Sequence, residues 1–360
     1  MFRAVIDKMA PYTPGEQPRP GQRVIKLNTN ENPYPPSPRV RHAVIKAVAG
    51  DSLRLYPRPL ADDFVAAAAR YYRIPRHMIL AGNGSDELLA MLFRAMLNPG
   101  DVVAYPSPTY TLYDTLAAVQ EARIAPITYG RDFVLPFDEL ARSRAALTVV
   151  CNPNAPSGTM TPTRTLARLA DALRPRLLVI DEAYVDFADH NALSLARLKD
   201  NVAVLRSFSK SFSLAGMRLG LCFAHPAIIQ GLIKVKDSYN LSRIAQAAGV
   251  AALEDAAWAM RNVQRVRATR RATEAALRQI GFEVQPSSAN FVLARLAGVD
   301  LSEMAAALRR RGILVRYFAT PLLYDALRIT IGKPAEMKAL LKELKPMVAK
   351  LQARQGNGAQ

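Results

Sequence analysis

The sequence predicts an α/β fold in which a large domain built on a mostly parallel sheet carries a smaller α+β domain. Three observations lead there. From about residue 78 short β-branched runs alternate with helical patterns: MILAGNG then SDELLAMLFRAML, DVVAYP then TYTLYDTLAAVQ, LTVVCNP then TPTRTLARLADAL. That is strand–helix repetition. Three further apolar runs, LLVIDEAY, VAVLRSFSK and LGLCFAHP, are short enough to be strands buried on both faces of such a sheet. A long helical stretch over roughly 243–280 then leads into FEVQPSSANFVLARL, LSEMAAALRRRG, ILVRYF, LRITIG and a final amphipathic Lys-rich helix. This looser alternation is expected of a smaller domain closing over the first.

In chain order, residues 1–35 read as an extended arm, 36–245 as the large domain and 246–360 as the small domain. The first twenty residues carry charge and four prolines without a continuous apolar stretch, so they resemble an arm and not a signal peptide. The last nine, QARQGNGAQ, are expected to fray. A chain of 360 residues, half of them apolar, can bury a large core around a cleft between two domains. No run approaches the ~18 apolar residues of a membrane span. Two cysteines, Cys151 and Cys222, provide neither a disulfide framework nor a metal-ligand cluster, which fits a reducing cytoplasm.

The net charge of +18 raises the question of nucleic acid. Counterion release needs clustered cations, and the basic residues here are spread along the chain. The densest set, Arg261, Arg265, Arg267, Arg270 and Arg271, falls on a helical stretch without stacking aromatics nearby and reads as a solvated helix face.

The most informative stretch is Ser207-Phe-Ser209-Lys210, with Leu214-Ala-Gly-Met-Arg218-Leu-Gly220 just after it. A lysine at the end of an apolar strand shifts its pKa readily and can form a Schiff base, while nearby hydroxyls and a guanidinium suit a phosphate dianion. An isolated Ser-x-Ser-Lys would read as a snorkelling surface lysine. The context argues otherwise: Asp181-Glu-Ala-Tyr184 follows the apolar LLVI, so a carboxylate emerges at a second strand end of the same sheet. A buried Asp there needs a cationic partner, and a protonated pyridine nitrogen is one. Gly82-Asn-Gly84-Ser85-Asp86-Glu87 lies between a strand and a helix, where glycines permit close backbone approach and free N–H groups favour an anion; Ser85 or Asp86 reads equally as an N-cap. Tyr110 in Pro108-Thr-Tyr110 follows another strand and is either a core residue or a stacking platform for a flat ring.

These motifs in this order resemble the fold-type I pyridoxal 5'-phosphate (PLP) enzymes of the class I/II aminotransferases, and among them the histidinol-phosphate aminotransferase family. The resemblance covers nearly the whole chain: LNTNENPYPPSP, LYPRP, GNGSDE, PSPTY, CNPNAPSG, DEAYVDF, RSFSKSFSLAGMRLG, SSANF and LRITIG. It implies that Lys210 is the Schiff-base lysine, that Asp181 pairs with the pyridine nitrogen, that Tyr184 hydrogen-bonds the ring hydroxyl and that Tyr110 stacks on the ring. It implies that Ser207, Arg218 and the Gly84-Ser85-Asp86 turn hold the phosphate with Ser209 adjacent, and that Tyr56 in LYPRP reaches the phosphate of a second subunit, hence a homodimer. One departure stands out. Where the family reads Asn-Asn-Pro-Thr-Gly this chain has Asn154-Ala155-Pro156-Ser157-Gly158, so Ala155 holds the slot of an asparagine that contacts the ring hydroxyl. Asn154 or Asn152 then replaces it, or Tyr184 serves alone.

The resemblance further implies transamination of L-histidinol phosphate with 2-oxoglutarate, giving imidazole-acetol phosphate and glutamate in histidine biosynthesis. Lys210 would move the proton, and Arg328 in LRITIG, assisted by Arg316 in ILVRYF, would hold the anionic head group as a bidentate fork. Asn32, Tyr34, Tyr239 and Asn240 are expected on the substrate side. The alternatives are an aromatic amino acid aminotransferase, a PLP decarboxylase of threonine phosphate, or, from a different class, a nucleic-acid-binding regulator on the same scaffold. Small-molecule partners, an amino donor with an anionic head and a 2-oxo acid, are expected instead of nucleic acid or membrane.

Overall fold

The computed structural model describes residues 1–357. Its central sheet contains β2 (Ile79–Asn83), β3 (Val102–Ala104), β4 (Arg123–Ile124), β5 (Leu147–Cys151), β6 (Leu177–Asp181), β7 (Val202–Ser207) and β8 (Leu219–Ala224), in the order β2-β8-β7-β6-β5-β3-β4. Neighbours from β7 to β4 are parallel, whereas β8 runs antiparallel to β7 and to β2. Every residue of β5, β6, β7 and β8 is buried, as their unbroken apolar character predicts for a sheet covered on both faces.

One face packs on α4 (Gly84–Met96), α5 (Leu112–Val119) and α9 (Pro226–Val235). The other packs on α3 (Asp62–Tyr72), α6 (Phe137–Arg142), α7 (Thr163–Leu173), α8 (Leu193–Leu198) and α10 (Arg243–Glu254). In α7 the buried residues Leu166, Leu169, Ala170 and Leu173 recur with helical spacing. Each such leucine stabilises the layer by roughly 1.5–3 kcal/mol.

The second core lies under an antiparallel sheet, β12 (Arg316–Tyr317), β13 (Ala326–Thr330), β10 (Phe291–Arg295) and β9 (Glu283–Val284), packed against α11 (Ala256–Gln279), α12 (Ser302–Arg310) and α13 (Pro334–Asn357). The arm holds α1 (Ala4–Lys8) and then β1 (Ile25–Lys26), which pairs in parallel with β11 (Ile313–Leu314). Arm residues Leu27 and Tyr34 belong to this second core. Both precede α2 (Pro38–Val48), whose Val40 packs in the first core, so the chain passes from one core to the other between Tyr34 and Val40.

Some boundaries differ from expectation. The predicted long helix is two helices, broken at Asp255, where α10 ends and α11 begins. α10 packs with α2 and α3, and the first core takes in Leu253 and then Ala256 and Ala259 of α11, past the expected limit at 245. The tail expected to fray continues α13 as far as Asn357, and Gly358, Ala359 and Gln360 lie outside the described residues. Nor is the arginine-rich helix simply a solvated face. Arg270 is buried and donates to the carbonyls of Ala289 and Phe187, Arg267 pairs with Asp189, and Arg265 lies 3.6 Å over the Tyr34 ring.

Candidate active site

Sheet register decides which side chains meet. In parallel strands the carboxyl ends line one edge: Cys151 of β5 lies opposite Asp181 of β6, Asp181 opposite Leu205 of β7, and Ser207 ends β7 two residues beyond. Because β8 is antiparallel, its beginning lies at that same edge: Gly220 is opposite Ser207 on one side and Gly82 on the other. Arg218, just before β8, is thereby delivered to the start of α4. The approach there is too close for side chains. A Cβ on Gly220 would come within 2.4 Å of the Gly84 carbonyl carbon. Gly84 itself has φ +75°, and a Cβ there would lie 2.7 Å from an Arg218 nitrogen.

Lys210 projects from the loop after β7 into a cleft. Its Nζ donates to the Thr29 carbonyl at 3.2 Å and lies 5.7 Å from the Tyr184 ring centre. Burial first, and then the Arg328 charge, push its pKa down to about 8, against the pull of Glu31 and Asp86. Asp181 is buried; its carboxylate accepts from Tyr113 Oη at 2.8 Å and from the Ala183 amide at 3.2 Å. Burial raises this carboxyl to about 6, against both of those hydrogen bonds. No cationic side chain pairs with it among the described residues. A buried carboxylate without a counterion favours a cationic ligand.

At the opposite end of the cleft floor, Arg218 bonds Asp86 at 2.8 Å and Ser209 Oγ at 3.3 Å, and the Ser209 amide donates to Ser207 Oγ at 3.2 Å. The first amides of α4, at Gly84, Ser85 and Asp86, have no intrahelical acceptor and carry the positive end of the helix dipole. Guanidinium, two hydroxyls and a helix start make a phosphate cradle. Tyr110 lies between these ends, edge-on to Tyr113 and to Tyr12 at 5.7 and 6.2 Å, with its hydroxyl donating to Asp86 at 3.2 Å.

The roof comes from the small domain and the arm. Arg316 and Arg328 are directly paired across β12 and β13, and both guanidinium groups lie near the Phe318 ring, at 5.3 and 5.5 Å. Arg328 donates to the Asn28 carbonyl at 2.8 Å, while its buried Nε has no partner. Burial lowers its pKa, the cost of a guanidinium placed to meet an anion.

Tyr184 is held by a polar chain from the arm. Asn30, buried and in the left-handed region at φ +58°, donates through Nδ2 to Tyr184 Oη at 3.1 Å. The Asn30 amide donates to Thr330 Oγ1 at 3.0 Å, and Thr330 Oγ1 donates to Asn30 Oδ1 at 3.0 Å. This fixes which end of the carboxamide faces the tyrosine. Rotated the other way, Asn30 would leave the one proton of buried Thr330 unpaired, costing about 1–3 kcal/mol. Burial pushes Tyr184 up to about 12, with Arg328 and Asn30 pulling against it.

The cleft therefore gathers Ser85, Asp86, Tyr110, Asp181, Tyr184, Ser207, Ser209, Lys210, Arg218, Arg316 and Arg328, as the sequence led us to expect. Several expectations need correcting. Tyr34 does not line the substrate side; it is buried in the second core beneath Arg265. Asn240 faces away and ties Glu87 to the end of β2. Asn32 acts on the backbone, donating to the carbonyls of Lys210 and Ser211. Neither asparagine near Ala155 replaces the missing contact: Asn154 bonds Thr109, Pro108 and Ser157, and Asn152 bonds Thr161. Tyr56, 77% exposed, stacks on Tyr239 at 4.4 Å outside the cleft of its own chain. Sequence reasoning missed Tyr12, Asn30, Tyr113 and Phe318. Tyr113 was the most accessible of these, because a tyrosine one turn after Tyr110 on an apolar helix face must return its hydroxyl to a buried partner.

A lysine amine whose pKa burial lowers to about 8, a strand-end carboxylate awaiting a cation and a phosphate cradle between them define an enzyme that handles amines through a phosphorylated pyridine aldehyde. Comparison with known proteins agrees: residues 22–344 match the family described as aminotransferase class I and II, and the chain belongs to that family. It is 43% identical to histidinol-phosphate aminotransferase 1 of Trichormus variabilis over 96% of this chain and 99% of that one. It is 45% identical to histidinol-phosphate aminotransferase of Citrifermentans bemidjiense, over 96% and 98% respectively. Among solved structures, histidinol-phosphate aminotransferase from Sinorhizobium meliloti in complex with pyridoxal-5'-phosphate superimposes with a TM-score of 0.89 at 27% identity, covering 97% of this chain and 98% of that one. Aspartate aminotransferase from Thermus thermophilus with maleate shares the fold at 21% identity, TM-score 0.79, over 91% and 92%.

Proposed function

We propose that this chain is a PLP-dependent aminotransferase that converts L-histidinol phosphate and 2-oxoglutarate to imidazole-acetol phosphate and glutamate. The carrying observation is the convergence of Lys210, Asp181 and Arg218 at adjacent strand ends beneath a facing pair of arginines. Relatives of 43–45% identity over nearly the full chain bear the corresponding name.

When bound, the cofactor supplies an aldehyde carbon that takes the amino group and a ring that accepts electrons. The chain does the rest. Asp181 would hold a proton at the ring nitrogen, and such an ionic pair would keep the carboxylate charged despite its burial. Ser207, Ser209, Arg218 and the start of α4 would hold the phosphate, and Tyr110 would offer an aromatic surface to the ring. Lys210, deprotonated more readily than a free lysine, would serve at Nζ as the base for the substrate-carbon proton. Arg328 and Arg316 bind the substrate phosphate, and in the second half-reaction a carboxylate of the oxo acid. Tyr12, Tyr110 and Phe318 provide apolar walls for a flat side chain.

We further propose a homodimer in which Tyr56 and Tyr239 serve the neighbouring subunit. Support comes from their exposure and from Leu53 and Leu55, exposed apolar residues that line one surface depression with Tyr56. A cytoplasmic location is consistent with Cys151 and Cys222, both free and buried. No helix among the described residues is long and apolar enough to cross a membrane.

The test is glutamate formation from 2-oxoglutarate with histidinol phosphate as donor, run beside phenylalanine. Turnover should favour histidinol phosphate; activity confined to phenylalanine would reject the substrate. Borohydride treatment should fix the cofactor to the peptide containing Lys210, and failure to do so would reject the cofactor chemistry.

A further inference from the structure

Ala155 lines the cleft and offers no polar atom beyond its backbone, so the ring-hydroxyl side of the site has few donors. Tyr184 is one, but a hydroxyl carries a single proton and serves as a donor toward the cleft only if that proton is not used elsewhere. The polar chain from the arm settles this. The Asn30 amide donates to Thr330, Thr330 donates to Asn30 Oδ1, and Asn30 Nδ2 donates to Tyr184 Oη. The single proton of Thr330 goes to Oδ1, which leaves the amide nitrogen of the carboxamide facing Tyr184. The group that Asn30 turns to Tyr184 is a pure donor, so Tyr184 must accept from it and direct its own proton outward.

The backbone is arranged around this contact. Asn30 sits at φ +58°, a conformation that asparagine tolerates better than most residues. Asn290 Nδ2 holds the Asn30 carbonyl at 2.9 Å. Residue 30 is buried to 1% exposure and yet reaches the cleft. Since Asn30 comes from the arm and Thr330 from the end of β13, the chain forms only when the arm lies across the small domain.

We infer that Asn30 is a positioning residue that polarises Tyr184, making its hydroxyl an obligatory donor to an anionic oxygen on the cofactor ring and compensating for Ala155. The inference rests on the PLP reading above. An oxygen stabilised in this way holds its negative charge at lower pH, so the proton that the ring oxygen shares with the Lys210–cofactor linkage is released more readily. The direction of the Asn30 bond agrees with its effect on Tyr184, whose pKa it pulls down against burial, making the hydroxyl the stronger donor.

The experiment is a pH titration of the visible absorbance of holoprotein for wild type, Asn30→Asp and Asn30→Gly, each with and without Tyr184→Phe. Aspartate reverses the bond, because a carboxylate takes the Tyr184 proton for itself; glycine removes the donor and accepts the left-handed backbone. Both should raise the midpoint of the colour change by about one unit, a tenfold change in proton affinity. Neither should shift it further in the Tyr184→Phe background. An unchanged midpoint in both single variants overturns the inference, as does a shift equally large without the Tyr184 hydroxyl, which would report mere added charge or loosened packing. A wild type that takes up no PLP overturns the cofactor reading and this inference together, whereas normal uptake and borohydride fixation with unshifted midpoints overturns the inference alone.

Discussion

Apoprotein mixed with PLP should capture it at a rate set by the ionisation of Lys210. Attack on an aldehyde requires the free amine. An ordinary lysine at 10.5 is neutral in about 0.1% of molecules at pH 7.5, whereas at the Lys210 value of about 8 roughly a quarter are neutral. The difference is on the order of 200-fold in reactive amine, close to 3 kcal/mol at about 1.4 kcal/mol per unit. Burial is the leading cause and the Arg328 charge the second, so Arg328→Gln should move the break toward higher pH. The assay is stopped-flow absorbance from pH 6 to 10, with the reduced product mapped to the Lys210 peptide. The rate should rise tenfold per unit below pH 8 and level above it. A rise continuing to pH 10 would refute the reasoning, because Lys210 would then be a solvated amine. The same shift affects stability. With the folded pKa below the unfolded one, the unfolded chain binds more protons between pH 8 and 10.5, so apoprotein stability should rise through that window by up to ~3 kcal/mol from this group.

Tyr113→Phe removes one of two hydrogen bonds to Asp181, a loss of about 1 kcal/mol, and should raise that carboxyl above about 6 by about half a unit or more. The acid limb of the pH dependence of PLP affinity should move up accordingly; an unmoved limb would show that the bond does not act on Asp181. Arg270→Met leaves the Ala289 and Phe187 carbonyls without their donor inside the protein and should cost about 2–4 kcal/mol in urea unfolding, with little change in KM. Neutral stability would return Arg270 to the solvated face first expected. Lys210→Ala and Tyr56→Ala proteins, each nearly inactive, should regain activity when mixed and allowed to exchange subunits, because a heterodimer then has one site with both residues. No recovery on verified exchange would refute a Tyr56 that serves the partner's site.

The strand-end residues were legible because their signal is local. LLVIDEAY and VAVLRSFSK each put a polar residue directly after a run too apolar to be anything but a buried strand, and neighbouring parallel strands end together. Arg218 was legible for the same reason, although only the antiparallel course of β8 brings it to Gly84. Tyr34, Asn32 and Asn240 were misplaced because the direction of a loop side chain depends on what it packs against. Tyr34 follows the arm into the second core, and the two asparagines satisfy backbone carbonyls and Glu87, not a ligand.

The amino-acid sequence by itself determined the layered α/β architecture and the reactive set Lys210, Asp181 and Arg218, since apolar runs and the polar residues that end them are properties of short segments. Tertiary structure alone decided that the arm crosses the small domain to bring Asn30 and Thr330 onto Tyr184, that Tyr113 braces Asp181, and that Arg270 is buried. Those contacts join residues far apart in the chain, up to 300 positions for Asn30 and Thr330. A hydrogen bond at that separation depends on where whole layers come to rest and leaves no periodicity in either segment to announce it.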